Sequence, residues 1–287
     1  MREAIVRRAH RRAIALPDGV KAAVTRVVPE RTRRRAIRAL YDAAVVSYPK
    51  SGRTWLRTMI TTACAVDHGV EVTDPTAVER LWLTDERLPR VMFDHDGDPH
   101  EHPPAAIGRD KREFAGQPVV LLARDPRDTS VSLWHHLRGR EGAEVGGLDD
   151  FVLGEIGGVR SVIAYLNGWA DPQPHPARLE RVRYEDLRSD PGHHLGQVME
   201  ILGFPAPSPI AVATAVEANT FSRMKRREVE GDLRSVRFGG SEGDPASRKV
   251  REGKVGGFRN ELRPDTQERL GVLMHTLDPS YGYRPEP

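Results

Sequence analysis

From residue 43 onward, short apolar runs alternate with longer stretches whose apolar positions recur every three or four residues. This is the pattern of strands followed by helices. Residues 43–48, Ala-Ala-Val-Val-Ser-Tyr, read as a buried strand, and a glycine-containing turn leads into an apolar-periodic helix over 54–66. A brief strand is expected at 91–93, a strong one at 118–123 and another at 179–184. Helices are expected over 127–137, 148–153, 158–170, 191–202, 208–218 and 264–276. Strands separated by helical segments predict an α/β fold, a three-layer αβα sandwich whose central parallel sheet is covered on both faces. Two stretches, 94–117 and 228–257, lack periodicity and are expected to be loops, which at that length carry function or move.

The first forty residues differ in composition from the rest. They hold twelve Lys and Arg against three Asp and Glu, whereas the remainder holds 32 against 38. The net charge of +3 is therefore set by a basic arm in front of a mildly acidic body, which argues against nucleic acid as a partner of the body. Apolar residues at near-helical spacing, interrupted by Pro17, make residues 1–40 a basic helical arm and 41–287 the main domain. Such an arm suits a solvated helical extension, docking on an anionic membrane or acidic partner, or an organelle transit peptide. No apolar run reaches the length of a secretory core or a membrane span, and Cys64 is the single cysteine. An internal disulfide framework and multi-cysteine metal sites are thereby excluded, and a reducing, cytoplasmic location fits, with peripheral membrane contact through the arm as one option. Cys64 sits in an apolar run and reads as a small core residue.

Candidate chemistry begins at the end of the first strand. Tyr48-Pro49-Lys50-Ser51-Gly52-Arg53-Thr54-Trp55 takes a buried strand through a Lys-Ser-Gly turn straight into a helix. Free backbone N–H groups, the helix dipole and an ammonium then aim at one point, which suits a phosphate. Lys50 precedes Gly52, so the order is not that of the Walker A loop, and the turn is P-loop-like without being a P-loop. A second strand, 118–123, ends in Arg124-Asp125-Pro126-Arg127-Asp128, and the helix that follows carries Ser132. Arg124 and Ser132 lie where ligands of open parallel sheets bind, at strand carboxyl ends, and suit a second anion.

These two segments resemble the nucleotide-binding motifs of sulfotransferases that use 3′-phosphoadenosine 5′-phosphosulfate (PAPS). Three further segments match in order: Tyr184-Glu185-Asp186, Thr220-Phe221-Ser222-Arg223-Met224-Lys225 and Arg251-Glu252-Gly253-Lys254-Val255-Gly256. The resemblance runs from about residue 43 to residue 260 and leaves the basic arm outside. It implies that Lys50, Ser51, Gly52, Arg53 and Thr54 hold the 5′-phosphosulfate, while Arg124, Ser132 and Arg251, with Gly253, grip the 3′-phosphate. Trp55 and Phe221 would sandwich the adenine, with Tyr184 and Met224 nearby. The resemblance makes adenosine 3′,5′-bisphosphate the product, Lys50 the cation on the leaving group and His95 the general base, since 89–95 resembles the segment carrying the family's catalytic histidine.

Two departures stand beside that histidine. Phe93 occupies the place of a basic residue, and Asp94 either raises the basicity of the imidazole or points away. The run Asp94-His95-Asp96-Gly97-Asp98-Pro99-His100-Glu101-His102 fails as a calcium loop and reads as a solvated acidic loop with no metal. His135 and His136 read as partly exposed helix residues. In the C-terminal motif Glu252, Gly257 and Phe258 depart from the family pattern. The alternatives are a nucleotide kinase-like phosphoryl transferase and a non-catalytic nucleotide-binding or membrane-docking protein. Loops rich in Gly, Pro, Asp and Arg with few aromatics suggest a polar acceptor, such as a sugar or glycolipid hydroxyl; oligomeric state is not legible.

Overall fold

A computed structural model describes residues 34, 37–72, 74–230 and 253–285. Most of the basic arm and Arg251 lie outside the described residues. Four parallel strands, β1 (Ala43–Ser47), β2 (Val91–Asp94), β3 (Pro118–Ala123) and β4 (Arg178–Arg183), form one sheet in the order β2-β1-β3-β4. The chain leaves β1 to one side for β2 and returns to the other side for β3. The carboxyl ends of β1 and β3 therefore border a topological switch point, the crevice where open α/β sheets bind ligands.

Alternation along β1 sorts its side chains into the two cores. Ala43 and Val45 face one buried cluster, shared with helices α1 (Arg53–His68), α6 (Pro191–Ile201) and α7 (Pro209–Ala218) through Leu56, Ile60, Leu195 and Ala215. Ala44 and Val46 face the other, shared with α2 (Pro126–Arg140), α4 (Val159–Ala170) and α9 (Pro264–Met274) through Val131, Tyr165 and Leu270. Cys64 is buried in the first cluster, where burial pushes its thiol up to about 12, as expected of a core residue. Strand β4 is an edge, and its charged Arg178, Glu180 and Arg181 suit a strand with one unpaired side. Three further helices are α3 (Leu148–Leu153), α5 (Tyr184–Ser189) and α8 (Phe221–Glu230). Among the described residues, no helix is long and apolar enough to cross a membrane.

The expected strands and helices lie within three residues of their expected bounds, and two helices, α5 and α8, were not expected. The strand expected to reach Tyr184 stops at Arg183, and Tyr184 opens α5. Helix α8 carries Phe221 and Met224 among mostly charged residues, too few apolar positions to register as a period. The expected loop at 94–117 contains three 3₁₀ turns.

This loop is pinned from below by a buried ionic cluster. Arg38, 1% exposed, pairs with Asp94 at 2.6 Å and with Glu113, and its guanidinium lies 4.2 Å over the Phe114 ring. Lys111, equally buried, donates to Asp96 at 2.5 Å, and Trp169 Nε1 donates to the same carboxylate at 3.1 Å. The run read as a solvated acidic loop is thus corrected: its first two carboxylates are partners of buried cations, which offsets part of the cost of burying those cations. The end of the basic segment, at Arg38, is anchored in the body. Removing one partner of such a cluster leaves uncompensated charge inside, so Arg38→Ala is expected to cost about 3–5 kcal/mol in urea unfolding.

Candidate active site

The turn after β1 is built from two left-handed residues. Lys50 has φ 72° and Gly52 φ 95°. At Gly52 a side chain is excluded twice, by the dihedral and because a Cβ would lie 2.6 Å from Tyr184 Cδ2. Lys50 has no such steric licence and is held by a partner: Arg124 Nη1 donates to its carbonyl at 3.1 Å. Helix α1 then starts with no side-chain cap and no acidic residue in its first turn. The first N–H groups of a helix have no intrahelical acceptor, so the turn presents donors and positive dipole to the crevice.

Arg124, just past β3, joins this turn to a distant segment. Its Nη2 donates to the Lys254 carbonyl at 3.3 Å, its guanidinium stacks 4.6 Å over the Tyr184 ring, and its Nε is buried with no partner among the described residues. Asp128, in the first turn of α2, fixes the same distant segment by accepting from the amides of Gly256 at 2.7 Å and Phe258 at 3.0 Å. Burial raises its carboxyl above the ordinary value, against the lowering effects of Arg124 and the two amides. Arg127 is engaged elsewhere, paired with the N-cap Asp125 at 2.8 Å.

Aromatic and thioether groups close one side. Trp55 and Tyr184 meet edge to face with centroids 6.0 Å apart, and Trp55 Nε1 donates to the Asn219 carbonyl at 2.8 Å. Phe221 and Met224 from α8 line the same cavity. A Cβ at Gly253 would lie 2.8 Å from the Phe221 ring and 3.2 Å from the Tyr184 hydroxyl, so the backbone passes close against both rings. Glu185, beside Tyr184, accepts from the Asp125 amide at 3.1 Å and the Tyr283 hydroxyl at 2.8 Å, and these bonds fix the start of α5 to the start of α2.

His95 stands at the far side, directly after β2. Its Nδ1 is 2.8 Å from the Ser47 carbonyl, which can only accept, so Nδ1 carries the proton and Nε2 the lone pair. That lone pair faces Arg53 Nη2 at 2.5 Å. Burial, then the Arg53 charge, holds the imidazole down to about 3. Asp94 is directed into the ionic cluster and exerts only a weak opposing pull. Phe93 lies under the guanidinium of Arg57, 4.2 Å from its ring centre, so the place of the missing cation is filled by an arginine stack.

These groups enclose one cavity of about 370 Å³. Of the residues expected from sequence, Lys50, Gly52, Arg53, Thr54, Trp55 and His95 line it, as do Arg124, Ser132, Tyr184, Phe221, Met224 and Gly253. Ser51 does not line it and is buried beneath the turn, and Arg251 lies outside the described residues. Sequence reasoning missed Asp128, whose two backbone partners lie about 130 residues away, and His100, which lines the wall near His95. His135 and His136 are partly exposed helix residues, as expected; His136 also lines the cavity, with Nε2 3.2 Å from Glu141, whereas His135 pairs with Glu261 at 2.5 Å.

A family model described as Sulfotransferase domain matches residues 40–277. The chain is 26% identical over 260 residues to cytosolic sulfotransferase 17 of Arabidopsis thaliana, covering 81% of this chain and 73% of that one. It is 27% identical over 205 residues to human sulfotransferase 2B1, covering 64% of this chain and 52% of the relative. Among solved structures, mouse sulfotransferase SULT7A1 complexed with PAP superposes with a TM-score of 0.54 at 19% identity, covering 82% of this chain and 83% of that one.

A depressed histidine also affects stability. An unfolded chain protonates His95 below its ordinary value of 6.5, while the folded one resists until about 3. Stability contributed by the neutral histidine is therefore present above 6.5 and lost as pH falls through that window. Denaturant unfolding at stepped pH is expected to show a shallower acid decline for His95→Gln than for the unaltered protein.

Proposed function

The chain belongs to the sulfotransferase domain family, and we propose that its cavity binds PAPS and moves the sulfuryl group to an acceptor hydroxyl. Membership decides against the kinase-like and non-catalytic alternatives. The observation that carries the donor assignment is the pairing of two anion sites across one aromatic-walled cavity: the uncapped start of α1 with Lys50 and Arg53, and Arg124 with its unpartnered buried Nε. A nucleotide with anionic groups on both sides of its ribose needs two such sites. The relatives named cytosolic, and a solved relative complexed with PAP, support the same reading and a cytoplasmic setting.

In the proposed arrangement Arg124 and Ser132, with the Gly253 segment, hold the 3′-phosphate. Trp55, Phe221, Tyr184 and Met224 hold the adenine, and the amides of the turn with Lys50 and Thr54 hold the 5′ end. Transfer forms a bond from the acceptor oxygen to sulfur and breaks the bond from sulfur to the 5′-phosphate oxygen. Lys50 neutralises the charge that develops on that oxygen. The acceptor's proton goes to His95 Nε2, whose tautomer is set by the Ser47 carbonyl. Polar groups that line the cavity with His95, including His100 and His136 with Glu141, favour a small polar acceptor such as a sugar hydroxyl.

Adenosine 3′,5′-bisphosphate without Mg²⁺ is expected to raise the melting temperature, whereas ATP with Mg²⁺ does not; the reverse preference would overturn the donor assignment. Arg124→Ala is expected to weaken calorimetric binding of the bisphosphate by about 1.5–3 kcal/mol, roughly 10- to 150-fold. With labelled PAPS and a panel of hydroxyl acceptors, His95→Ala is expected to lower turnover by about 10²- to 10⁴-fold with bisphosphate affinity kept.

A further inference from the structure

The lone pair that the proposed reaction needs is already engaged. A neutral histidine has one acceptor nitrogen, and with Nδ1 given to the Ser47 carbonyl that nitrogen is Nε2, 2.5 Å from Arg53 Nη2. A guanidinium has donors only and stays charged, so as long as it sits there Nε2 can accept no proton, and a protonated ring would face a cation at contact distance.

Arg53 is itself incompletely matched. It is half-buried, and among the described residues no carboxylate forms an ion pair with it. Of the acids that act on it, Glu79 is paired with its neighbour Arg57 and Asp94 with Arg38. Burial, reinforced by Arg57, pulls the Arg53 guanidinium down to about 10. A half-buried cation whose sole hydrogen-bond partner among the described residues is a neutral imidazole gains from an anion, and Arg53 is the first residue of the helix whose uncapped terminus faces the cavity.

Building on the donor assignment above, we propose that Arg53 is a positioning residue that links donor binding to the base: the anionic 5′ group draws the guanidinium from His95 Nε2 to itself. The lone pair then opens toward the acceptor hydroxyl only when a donor is present to react with it. The other groups facing His95 exert smaller effects: His100 disfavours the protonated ring, Asp94 more weakly favours it, and Lys50 lines the same cavity. Moving Arg53 onto the donor replaces a cation beside the ring with a neutralised one, and the imidazole rises toward the ordinary histidine range.

The experiment is an imidazole ¹⁵N NMR titration of the full chain, with the His95 signal assigned through His95→Gln, alone and saturated with PAPS in the absence of acceptor. Calorimetry on the same samples establishes whether the donor is bound. The expected result is an upward move of the His95 titration by about one to two pH units on donor binding. In Arg53→Met the midpoint is raised without donor and moves little when donor is added, while donor affinity falls. Arg53→Lys, which keeps the charge, restores a donor-dependent shift and covers the case in which the methionine variant does not fold. Donor bound by calorimetry with the His95 midpoint unmoved would overturn the linkage and leave the sulfotransfer reading standing. Failure of the unaltered protein to bind donor would overturn the donor assignment and the linkage together.

Discussion

The Arg124 guanidinium is the joint on which the site depends. Two of its donors go to the carbonyls of Lys50 and Lys254, and its face rests on Tyr184. Those contacts tie together the turn after β1, the end of β3, the start of α5 and a segment near the carboxyl end of the chain. A fork of five donors in one plane can do this while leaving a donor aimed elsewhere, which a lysine ammonium cannot. The buried, unpartnered Nε is the consequence. Such a group is costly in isolation and becomes favourable when an anion completes it, so one residue both assembles the cavity and leaves it short of negative charge.

Much of this was legible in the sequence because it rests on local rules. Ala43–Ser47 is apolar and bounded by a turn containing Lys50 and Gly52, and strand, turn and helix stand where those residues place them. Pro126 after Asp125 announces the start of α2, and Asp125 caps it. What escaped depends on partners far away in the chain. Arg38 was grouped with the basic arm by its charge, yet it is buried against Asp94 and Glu113. Asp128 looked like an ordinary first-turn acid and in fact receives two amides from residues 256 and 258. The acidic run at 94–102 suggested solvent because sequence composition cannot reveal that Lys111 and Trp169 converge on Asp96.

The same distinction explains His95. Its position after β2 follows from the strand pattern, and its neighbour Asp94 suggested an effect on basicity. The decisive neighbours come from other segments: the Ser47 carbonyl selects the tautomer, and Arg53 occupies the remaining nitrogen. A histidine beside an aspartate in sequence is thereby governed by an arginine in space. The aspartate, bound to Arg38, is left with a secondary influence.

The two ends of the cavity differ in how firmly they are held, and the difference suits their proposed tasks. Around Arg124 the groups interlock: Asp128 with residues 256 and 258, Arg127 with Asp125, and Glu185 with both the Asp125 amide and Tyr283. A region cross-tied in this way loses little further freedom when it receives a nucleotide, so its binding energy is available to anchor a part of the donor that does not react. Around His95 the loop backbone is pinned through Asp94 and Asp96, but Arg53 has a single hydrogen-bond partner among the described residues. In the proposed reaction the part of the site that changes its proton occupancy is thus the part whose arginine has one acceptor to exchange, beside a loop held through Asp94 and Asp96.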